Sequence, residues 1–497
     1  MSGGRPRKLV LAVVDAMKPA MLERAVATGR APTLQALMER GEVVDACVAA
    51  FPSVTPVCAA SIATGTGPGE HEIPAMNWWH REEERYIEYG TSFGASRAFG
   101  IRQSLTDTIY NMNLEHLSRD VDTVFERLDD GGEVRTAGTT YLMYRGRHRH
   151  EPAVDTALTR LAHGVFGLPT WGPKELFYAD LFASQKTPCR SQLGLPGVRD
   201  QHGGCVAEFL VEHDLFDFLL LSLPDNDTHS HKYGPFAQID SLAAADRQIA
   251  RMMQPAGGID AFLEDHAVIV CSDHSQSKVE QEIDLFKAFD GFGVRAARRA
   301  RPADEIAVCP NSRAAQVYVL DRDQRRKIVP RVERTLLALD GVDLVMRMGD
   351  HPDGEAIVRG ERSRGVQEVR FAPRGDLVDA RGERWSIEGD LELLGLTVED
   401  GRVRSATYPD ALSRVWSALR CRTAGELLAS ARPGYEFLDW GGAHHVGGGS
   451  HGSLHANDSF GSLLWCGTGP AADSREQWAL RDITPMVLSH FADGGES

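Results

Sequence analysis

The sequence predicts a doubly wound α/β fold, in which helices flank a mainly parallel sheet, with a mixed α+β cap inserted into it. Three features of the 497 residues lead to this prediction. Several apolar, β-branched runs have the length of buried parallel strands. These runs alternate with segments of helical periodicity, which is the pattern of strand–helix–strand units. Two long stretches break the alternation, and we interpret them as insertions into one core.

The apolar runs supply the strands of the predicted sheet. Their hydrophobicity is continuous rather than alternating, which indicates that helices cover both faces of each strand. The predicted strands are Leu9–Val14, Val43–Ala49, Glu133–Thr140, Phe216–Leu223, His266–Cys271 and Ser459–Cys466. The predicted helices are Thr33–Arg40, Pro56–Thr64, Thr106–Leu128, Val206–His213 and Ile239–Met253.

The predicted core comes from three separate parts of the chain, which are residues 1–145, 201–290 and 433–497. Residues 146–200 are rich in Arg, His, Pro and aromatic side chains and have no clear period, so we interpret them as an insertion near the active site. Residues 291–432 change to short strands and turns, which predicts the inserted cap subdomain.

The net charge excludes two classes of partner. The chain has 54 Lys and Arg against 70 Asp and Glu, which leaves −16 at neutral pH. The long-range field of such a chain repels nucleic acid polymers and anionic membranes. A small phosphoester remains a possible substrate, provided that the site itself concentrates positive charge, and bound metal is the obvious source.

The N-terminal run and the cysteines predict a cytoplasmic protein. The run Leu9–Val14 stops at Asp15, which is too short for a secretory signal. No stretch approaches the roughly 20 apolar residues of a membrane helix. The eight cysteines are scattered without a CxxC pair, so a reduced compartment is expected. No sequence feature indicates an oligomeric state.

Side chains that can bind metal follow the predicted strands. Ligands of an open parallel sheet lie beyond the carboxyl ends of its strands. The residues at these ends are Asp15, Thr55, Asp227 with His231, Asp273 with His274, and, before the last strand, His451. One such Asp alone is more often a helix cap, but five strand ends together indicate one rim of ligands. Imidazole and carboxylate groups suit Zn²⁺, and two ions can clamp the oxygens of a phosphoryl transfer.

Thr55 is the candidate nucleophile. It precedes Pro56 and an apolar helix, which is typical of an N-cap followed by proline at the first helical position. A helix N-terminus also attracts anions, through its free N–H groups and the positive end of the dipole. A hydroxyl whose pKa is lowered by a metal at this place is a competent nucleophile on phosphorus.

With these residues in view, the chain resembles the alkaline phosphatase superfamily, and within it most closely the nucleotide pyrophosphatase/phosphodiesterase branch. The resemblance covers the core and depends on five segments in the family's order. They are Phe51-Pro-Ser-Val-Thr55-Pro, Pro68-Gly-Glu-His71-Glu-Ile with Asn77, Asp227-x-x-x-His231-Lys-Tyr-Gly-Pro235, Ser272-Asp273-His274 and Ser450-His451-Gly452.

The resemblance implies a site with two divalent ions, expected to be zinc. One ion would be held by Asp227, His231 and His451, and the other by Asp15, Asp273 and His274. Thr55 would attack and become phospho-threonine. Asn77 would help the Thr55 backbone N–H to hold a phosphoryl oxygen, which favours diesters over monoesters.

The substrate is expected to be a small phosphodiester or pyrophosphate. Trp78 and Tyr144 are candidates to stack on a nucleobase or another aromatic leaving group. His445 and other spare histidines near the site are expected to support the ligands or lie at the surface. Three other activities stay open on the same core: phosphomonoesterase, mutase and phosphotransferase. A non-catalytic metal-binding relative is the remaining alternative.

Overall fold

The computed structural model describes residues 7–154, 159–160, 163, 166–192, 194–350 and 354–493. Its strands, numbered in chain order, are β1 Lys8–Val14, β2 Glu42–Val48, β3 Asn77–His80, β4 Arg85–Glu88, β5 Thr136–Thr139, β6 His148–His150, β7 Thr170–Gly172, β8 Glu175–Tyr178, β9 Phe182–Ala183, β10 Phe218–Leu223, β11 His266–Cys271, β12 Ser277–Ile283, β13 Ile306–Asn311, β14 Ala314–Val319, β15 Val342–Met348, β16 Ala356–Arg362, β17 Gly365–Val378, β18 Arg384–Gly389, β19 Leu396–Glu399, β20 Arg402–Ser405, β21 Leu427–Ala431, β22 Gly434–Phe437, β23 Gly449–Ser450 and β24 Phe460–Cys466.

The α-helices of the described residues are α1 Pro19–Ala27, α2 Pro32–Arg40, α3 Thr55–Thr64, α4 Pro68–His71, α5 Phe93–Phe99, α6 Ile101–Thr106, α7 Val124–Gly131, α8 Arg199–Glu212, α9 Asp225–Tyr233, α10 Ile239–Met253, α11 Ile259–Asp265, α12 Leu285–Ala288, α13 Arg325–Leu337, α14 Ala411–Arg420, α15 Ala456–Ser459 and α16 Ile483–Asp493. A π-helix, Asp107–His116, continues α6. None of these helices is both long and apolar enough to cross a membrane.

The central sheet confirms the predicted fold class. Its strand order is β2-β24-β11-β1-β10-β5-β8-β9. Pairing is parallel from β11 through β1, β10 and β5 to β8. Strand β1 is buried from Leu9 to Val14 because separate apolar clusters cover the two faces of the sheet. This double coverage explains the continuous hydrophobicity of the strand sequences.

One of the predicted parallel strands needs correction. Strand β24 pairs antiparallel with both of its neighbours, β11 and β2, so β24 alone is reversed and β2 keeps the direction of the parallel strands. The chain reaches β24 from the loop that carries His451, and this loop lies at the edge where the parallel strands end. A strand that starts at that edge must run opposite to its neighbours.

The predicted single helix Thr106–Leu128 is also wrong. The π-helix ends at His116, and α7 starts again at Val124. A capping box starts this second helix: Thr123 Oγ1 accepts a bond from the Glu126 N–H, and the Glu126 side chain accepts one from the Thr123 N–H. The cap fixes a helix start inside a sequence whose apolar pattern is continuous.

The stretch 146–200, which the sequence predicts to be an insertion, contributes strands to the central sheet. It supplies β8 and β9 to the edge of the central sheet. Cys189 in this stretch forms a disulfide with Cys205 of α8. The expectation that all cysteines are reduced is therefore wrong for this pair, because folding brings together two residues that the spacing does not connect. A cytoplasmic location remains a prediction.

The stretch 291–432 forms a second sheet beside the core. Its strand order is β13-β14-β21-β15-β16-β17-β20-β19, with β18 paired to β17. Helices α13 and α14 pack on this sheet and bury two further apolar clusters. A small sheet, β22-β12-β23, lies between the core and the cap segments of the chain. Strand β23 precedes His451 directly, so this small sheet places one of the predicted ligands.

Candidate active site

A cavity of about 510 Å³ opens where the parallel strands of the central sheet end. Asp15 follows β1, Asp273 lies just after β11, and Asp227 and His231 lie on α9 directly after β10. Six of the seven predicted metal-site residues line this cavity: Asp15, Thr55, Asp227, His231, Asp273 and His451. The seventh, His274, is fully buried and is not a lining residue, but its Nε2 lies close to the carboxylates of Asp15 and Asp273. The strand-end rule therefore identified the position of the site.

Backbone hydrogen bonds hold the two buried carboxylates in place. Asp273 Oδ1 accepts bonds from the N–H groups of Ala16 at 3.1 Å and His274 at 2.9 Å. The chain turns sharply after Asp15 because Ala16 has a φ of 57°. The side-chain amide of Asn226 donates to the carbonyl of Asp15 at 2.7 Å. The exits of β1, β10 and β11 are thus tied together around the carboxylates.

The three histidines are fixed in one tautomer. Nδ1 of His274 contacts the Ser275 carbonyl at 3.2 Å, Nδ1 of His231 that of Gly449 at 2.8 Å, and Nδ1 of His451 that of Ser53 at 2.8 Å. A carbonyl can only accept, so each Nδ1 carries the hydrogen. In its neutral form each ring then presents the lone pair of Nε2, which is the arrangement of a metal-ligating histidine.

These Nε2 atoms converge with the carboxylates. His274 Nε2 lies 3.5 Å from Asp15 Oδ1 and 3.4 Å from Asp273 Oδ2. Asp227 Oδ2 lies 3.3 Å from His231 Nε2, and its Oδ1 lies 3.8 Å from His451 Nε2.

In this cluster, ligand atoms within 4.8 Å of one another form two groups. The first is Asp15, Asp273 and His274, as predicted. The second is Asp227, His451 and His274, whereas the sequence grouped Asp227 and His451 with His231. His274 therefore lies between the two predicted sets.

Two of the three histidines in this cluster carry no positive charge. Burial lowers the pKa of His274 to about 4 and that of His451 to about 3, so both rings are neutral at pH 7. Burial, reinforced by the neighbouring carboxylates, raises the pKa of Asp15. Asp15 Oδ1 is buried and has no hydrogen-bond partner within the described part of the chain. Lone pairs that face one another without hydrogens fit divalent cations, and the nitrogen and oxygen donors suit zinc.

Thr55 lies beside this cluster as the first residue of α3. Its Oγ1 is 3.2 Å from Nε2 of His274. Every residue of the helix from Pro56 to Thr64 is buried, so the helix start cannot shift without disturbing the core. The bridge between Ser53 and Gly452 ties the segment before Thr55 to the loop of His451. A hydroxyl is thus held at a helix N-terminus, facing the ligand cluster.

The prediction for Asn77 needs correction. Asn77 is 1% exposed, and its side-chain amide donates to the Ile87 carbonyl across the β3–β4 hairpin at 2.8 Å. The side chain therefore belongs to the hairpin and does not line the cavity. Met76 lines the cavity instead.

The predicted stacking residues Trp78 and Tyr144 are also buried in the core, each 1% exposed. Neither lines the cavity. The hydroxyl of Tyr144 donates to the Ile109 carbonyl, which ties this ring to the π-helix. Both rings are packed away from the cavity lining, so the structure does not support their predicted role in stacking.

The cavity has a wall that sequence reasoning missed. Tyr89, Tyr141 and Tyr178 line it, and Arg199 is its one Lys or Arg side chain among the described lining residues. Tyr141 lies just beyond the end of β5 and Tyr178 ends β8, so the strand-end rule could have found them once these strands were known. His445 also lines the cavity, where it stacks on His231 at 4.1 Å between ring centroids.

The known structures that resemble this one share its fold at low sequence identity. Murine ectonucleotide pyrophosphatase/phosphodiesterase 5 is 11% identical, with a TM-score of 0.57 over 98% of this chain and 95% of its own. The human protein of that name gives 12% and 0.57, with the same coverage. Phosphonoacetate hydrolase from Sinorhizobium meliloti 1021 gives 17% and 0.54, over 98% of this chain and 96% of its own.

The curated protein sequences give no match. The family model for type I phosphodiesterase / nucleotide pyrophosphatase, however, matches residues 9–454, which is most of the chain and includes all seven strand-end residues. The chain therefore belongs to the type I phosphodiesterase / nucleotide pyrophosphatase family and is a phosphoester hydrolase, as its sequence predicts.

Proposed function

We propose that the protein hydrolyses small phosphodiesters or pyrophosphates at a site for two divalent metal ions, with Thr55 as the nucleophile. One observation carries the proposal. Three histidines held in the Nε2-acceptor tautomer converge with three carboxylates beside the Thr55 hydroxyl, at the N-terminus of a buried helix. A structural role for this cluster does not account for Asp15 Oδ1, which is buried without a partner.

The six ligand side chains divide into two sets. Asp227, His231 and His451 would hold one ion, and Asp15, Asp273 and His274 the other, with zinc as the expected metal. Bound ions would supply positive charge that stabilises an ionised hydroxyl and the leaving oxygen of the ester.

The chain's own residues position the reacting groups. Thr55 Oγ1 would attack phosphorus as its O–H bond breaks, and the bond from phosphorus to the leaving oxygen would break in line with it. The leaving oxygen takes up a proton, and water then hydrolyses phospho-Thr55 and restores the hydroxyl. The N-terminus of α3 favours negative charge on the phosphoryl oxygens. An inactive threonine-to-alanine variant of the murine relative was solved in complex with AMP, which supports a threonine in this role.

The cavity wall favours a small anionic substrate. Arg199 lies in the cavity with Nε 2.9 Å from Asp225 Oδ1, and its guanidinium also donates to Thr228 Oγ1 at 2.6 Å. A guanidinium anchored in this way can pair with a second anionic group of the substrate. The phosphonoacetate hydrolase relative was solved with phosphonoacetate, a small ligand with two acidic groups, which is the kind of substrate that suits such a wall. Because the Asn77 side chain bonds within the β3–β4 hairpin and does not line the cavity, it does not support the predicted preference for diesters over monoesters.

A direct test uses purified full-length protein and two chromogenic esters, bis(p-nitrophenyl) phosphate and p-nitrophenyl phosphate. We expect a chelator to abolish activity and zinc to restore it. Thr55→Ala should lower kcat by at least about 1,000-fold while zinc content stays unchanged. Thr28→Ala, at an exposed threonine directly after α1 that does not line the cavity, is the matched control.

Three results would change the conclusion. Zinc-restored activity that persists in Thr55→Ala would contradict the nucleophile assignment. Transfer of the phosphoryl group to an added alcohol rather than to water would indicate a mutase or phosphotransferase. Zinc binding without activity on any ester would favour the non-catalytic alternative.

A further inference from the structure

We propose a separate metal site, held by His80, Glu83 and His116, for a divalent cation of the zinc type. One ligand atom from each of these residues lies within 4.8 Å of the others. None of the three lines the cavity of the candidate active site. The proposal does not depend on the activity of that site.

Two elements bring the three side chains together. His80 ends β3, and Glu83 lies in the turn that leads to β4. His116 is the last residue of the π-helix, where the chain leaves the helix at Leu117. The site would therefore tie the tip of a hairpin to a helix end that is distant in the sequence.

His116 provides the independent observation that a ligand is missing. The residue is 5% exposed, and its Nδ1 lies 2.7 Å from the hydroxyl oxygen of Tyr89. Its Nε2 is buried and has no hydrogen-bond partner among the residues that the structure describes. A buried polar atom without a partner costs about 1 to 3 kcal/mol, whichever tautomer is present. With Nδ1–H donating to Tyr89, the Nε2 lone pair is free for a metal, and the tyrosine supports the ring as metal-bound histidines require.

The other two ligands are available at the surface side of the cluster. His80 Nε2 lies 3.6 Å from Glu83 Oε1. The second oxygen of Glu83 accepts from Arg85, so the carboxylate is held with Oε1 directed at the histidine. Arg85 also pairs with buried Asp107, which leaves these three charged groups with a net negative charge. That charge favours a cation.

Metal binding would replace one hydrogen bond of the turn by a hydrogen bond to water. The Glu83 N–H donates to His80 Nδ1 at 3.1 Å. Ligation through His80 Nε2 requires the hydrogen on Nδ1, so this N–H must take another acceptor. Glu83 lies in an exposed turn, where water can accept from it.

The donor set indicates the class of ion. Two imidazoles and one carboxylate suit zinc or a similar transition metal, whereas calcium and magnesium prefer all-oxygen sites. His80 and Glu83 are partly exposed, with 20% and 45% of their side-chain surface accessible, so a water molecule can complete the coordination. Tyr89 contacts His116 and also lines the active-site cavity, so an ion here would stiffen part of the cavity wall.

The test counts zinc ions per chain. Full-length protein is stripped with a chelator, dialysed against Zn²⁺ and measured by inductively coupled plasma mass spectrometry. We expect His80→Gln and Glu83→Gln each to bind one equivalent less than the wild type. Both positions are partly exposed, so these variants avoid the folding risk of replacing buried His116. Glu82→Gln, an exposed glutamate in the same turn, is the matched control and should bind as much as the wild type.

Two outcomes overturn the proposal. The first is equal zinc content in the wild type, His80→Gln and Glu83→Gln. The second is an equal loss in Glu82→Gln, which would show that turn charge alone attracts the ion. The same counts on an Asp227→Asn background separate this site from the active site. The loss caused by Glu83→Gln must persist there even if the active site binds no zinc.

Discussion

Replacing Glu88 with glutamine is expected to remove a pH-dependent loss of stability. Glu88 ends β4 and is 1% exposed. Its Oε1 accepts from the N–H groups of Gly90 at 2.9 Å and Thr91 at 2.5 Å, and its Oε2 accepts from Thr91 Oγ1 at 3.1 Å. Gly90 and Thr91 line the active-site cavity, so this carboxyl group holds part of the cavity wall. Glutamine can keep all three contacts, because its amide oxygen accepts from both N–H groups and its NH₂ donates to the threonine.

The magnitude follows from the pKa. Burial raises the pKa of Glu88 from 4.5 to about 7, although its hydrogen bonds act in the opposite direction. A raised pKa means that the folded state holds the proton more tightly than the unfolded chain. The stabilisation is therefore fully present below about pH 4.5 and is lost as pH rises through 7. At about 1.4 kcal/mol per pH unit, the contribution lost between pH 5 and pH 8 is about 2 to 3 kcal/mol.

The assay is denaturant unfolding of the wild type and Glu88→Gln at pH 5 and pH 8, at fixed metal concentration. We expect the free energy of unfolding of the variant, relative to the wild type, to be about 2 to 3 kcal/mol higher at pH 8 than at pH 5. Glu82→Gln on the exposed turn should follow the wild type at both pH values. A Glu88→Gln profile parallel to that of the wild type would refute the reasoning.

Three further predictions follow from the structure. Arg199→Met should lower kcat/KM roughly 10-fold for esters that carry a second anionic group and leave kcat/KM unchanged for esters that lack one. An equal loss for both kinds of ester would contradict the assigned role. Arg313→Met should lower the free energy of unfolding by about 3 to 5 kcal/mol in chemical denaturation, because it leaves the fully buried carboxylate of Asp458 unpaired; a neutral effect would show that the charge is compensated elsewhere. Replacing Cys189 and Cys205 together by alanine should lower the free energy of unfolding by about 3 kcal/mol. A reductant should lower that of the wild type by the same amount and leave that of the variant unchanged. A thiol titration that finds all eight cysteines free would refute the disulfide.

The positions of the strands and of the metal-site residues could be predicted from local sequence. Strand β11 has the bounds that the apolar run indicates, and β1 and β10 differ by one or two residues. Asp15 and Asp273 could be placed because the carboxyl ends of parallel strands meet at one edge of the sheet. The antiparallel direction of β24 could not, because a strand buried on both faces has the same composition in either direction.

Asn77 shows how a correct motif can still give a wrong role. Neighbouring residues of an extended chain point to opposite sides. Met76 and Asn77 therefore cannot both face the cavity, and the pairing of β3 with β4 decides which one does. The buried positions of Trp78 and Tyr144 have a similar cause, since an aromatic side chain fits a core as well as a binding site.

The sequence by itself determined the fold class, the family and the residues able to bind metal, because each depends on local hydrophobicity or on residue types at strand ends. The net charge of −16 led to the prediction of a small substrate. Only the tertiary structure decided the tautomers of the three histidines, the place of His274 between two ligand groups, the Cys189–Cys205 pair and the cluster of His80, Glu83 and His116. Each of these depends on contacts between residues that are separated along the chain, and such contacts exist only once the chain has packed.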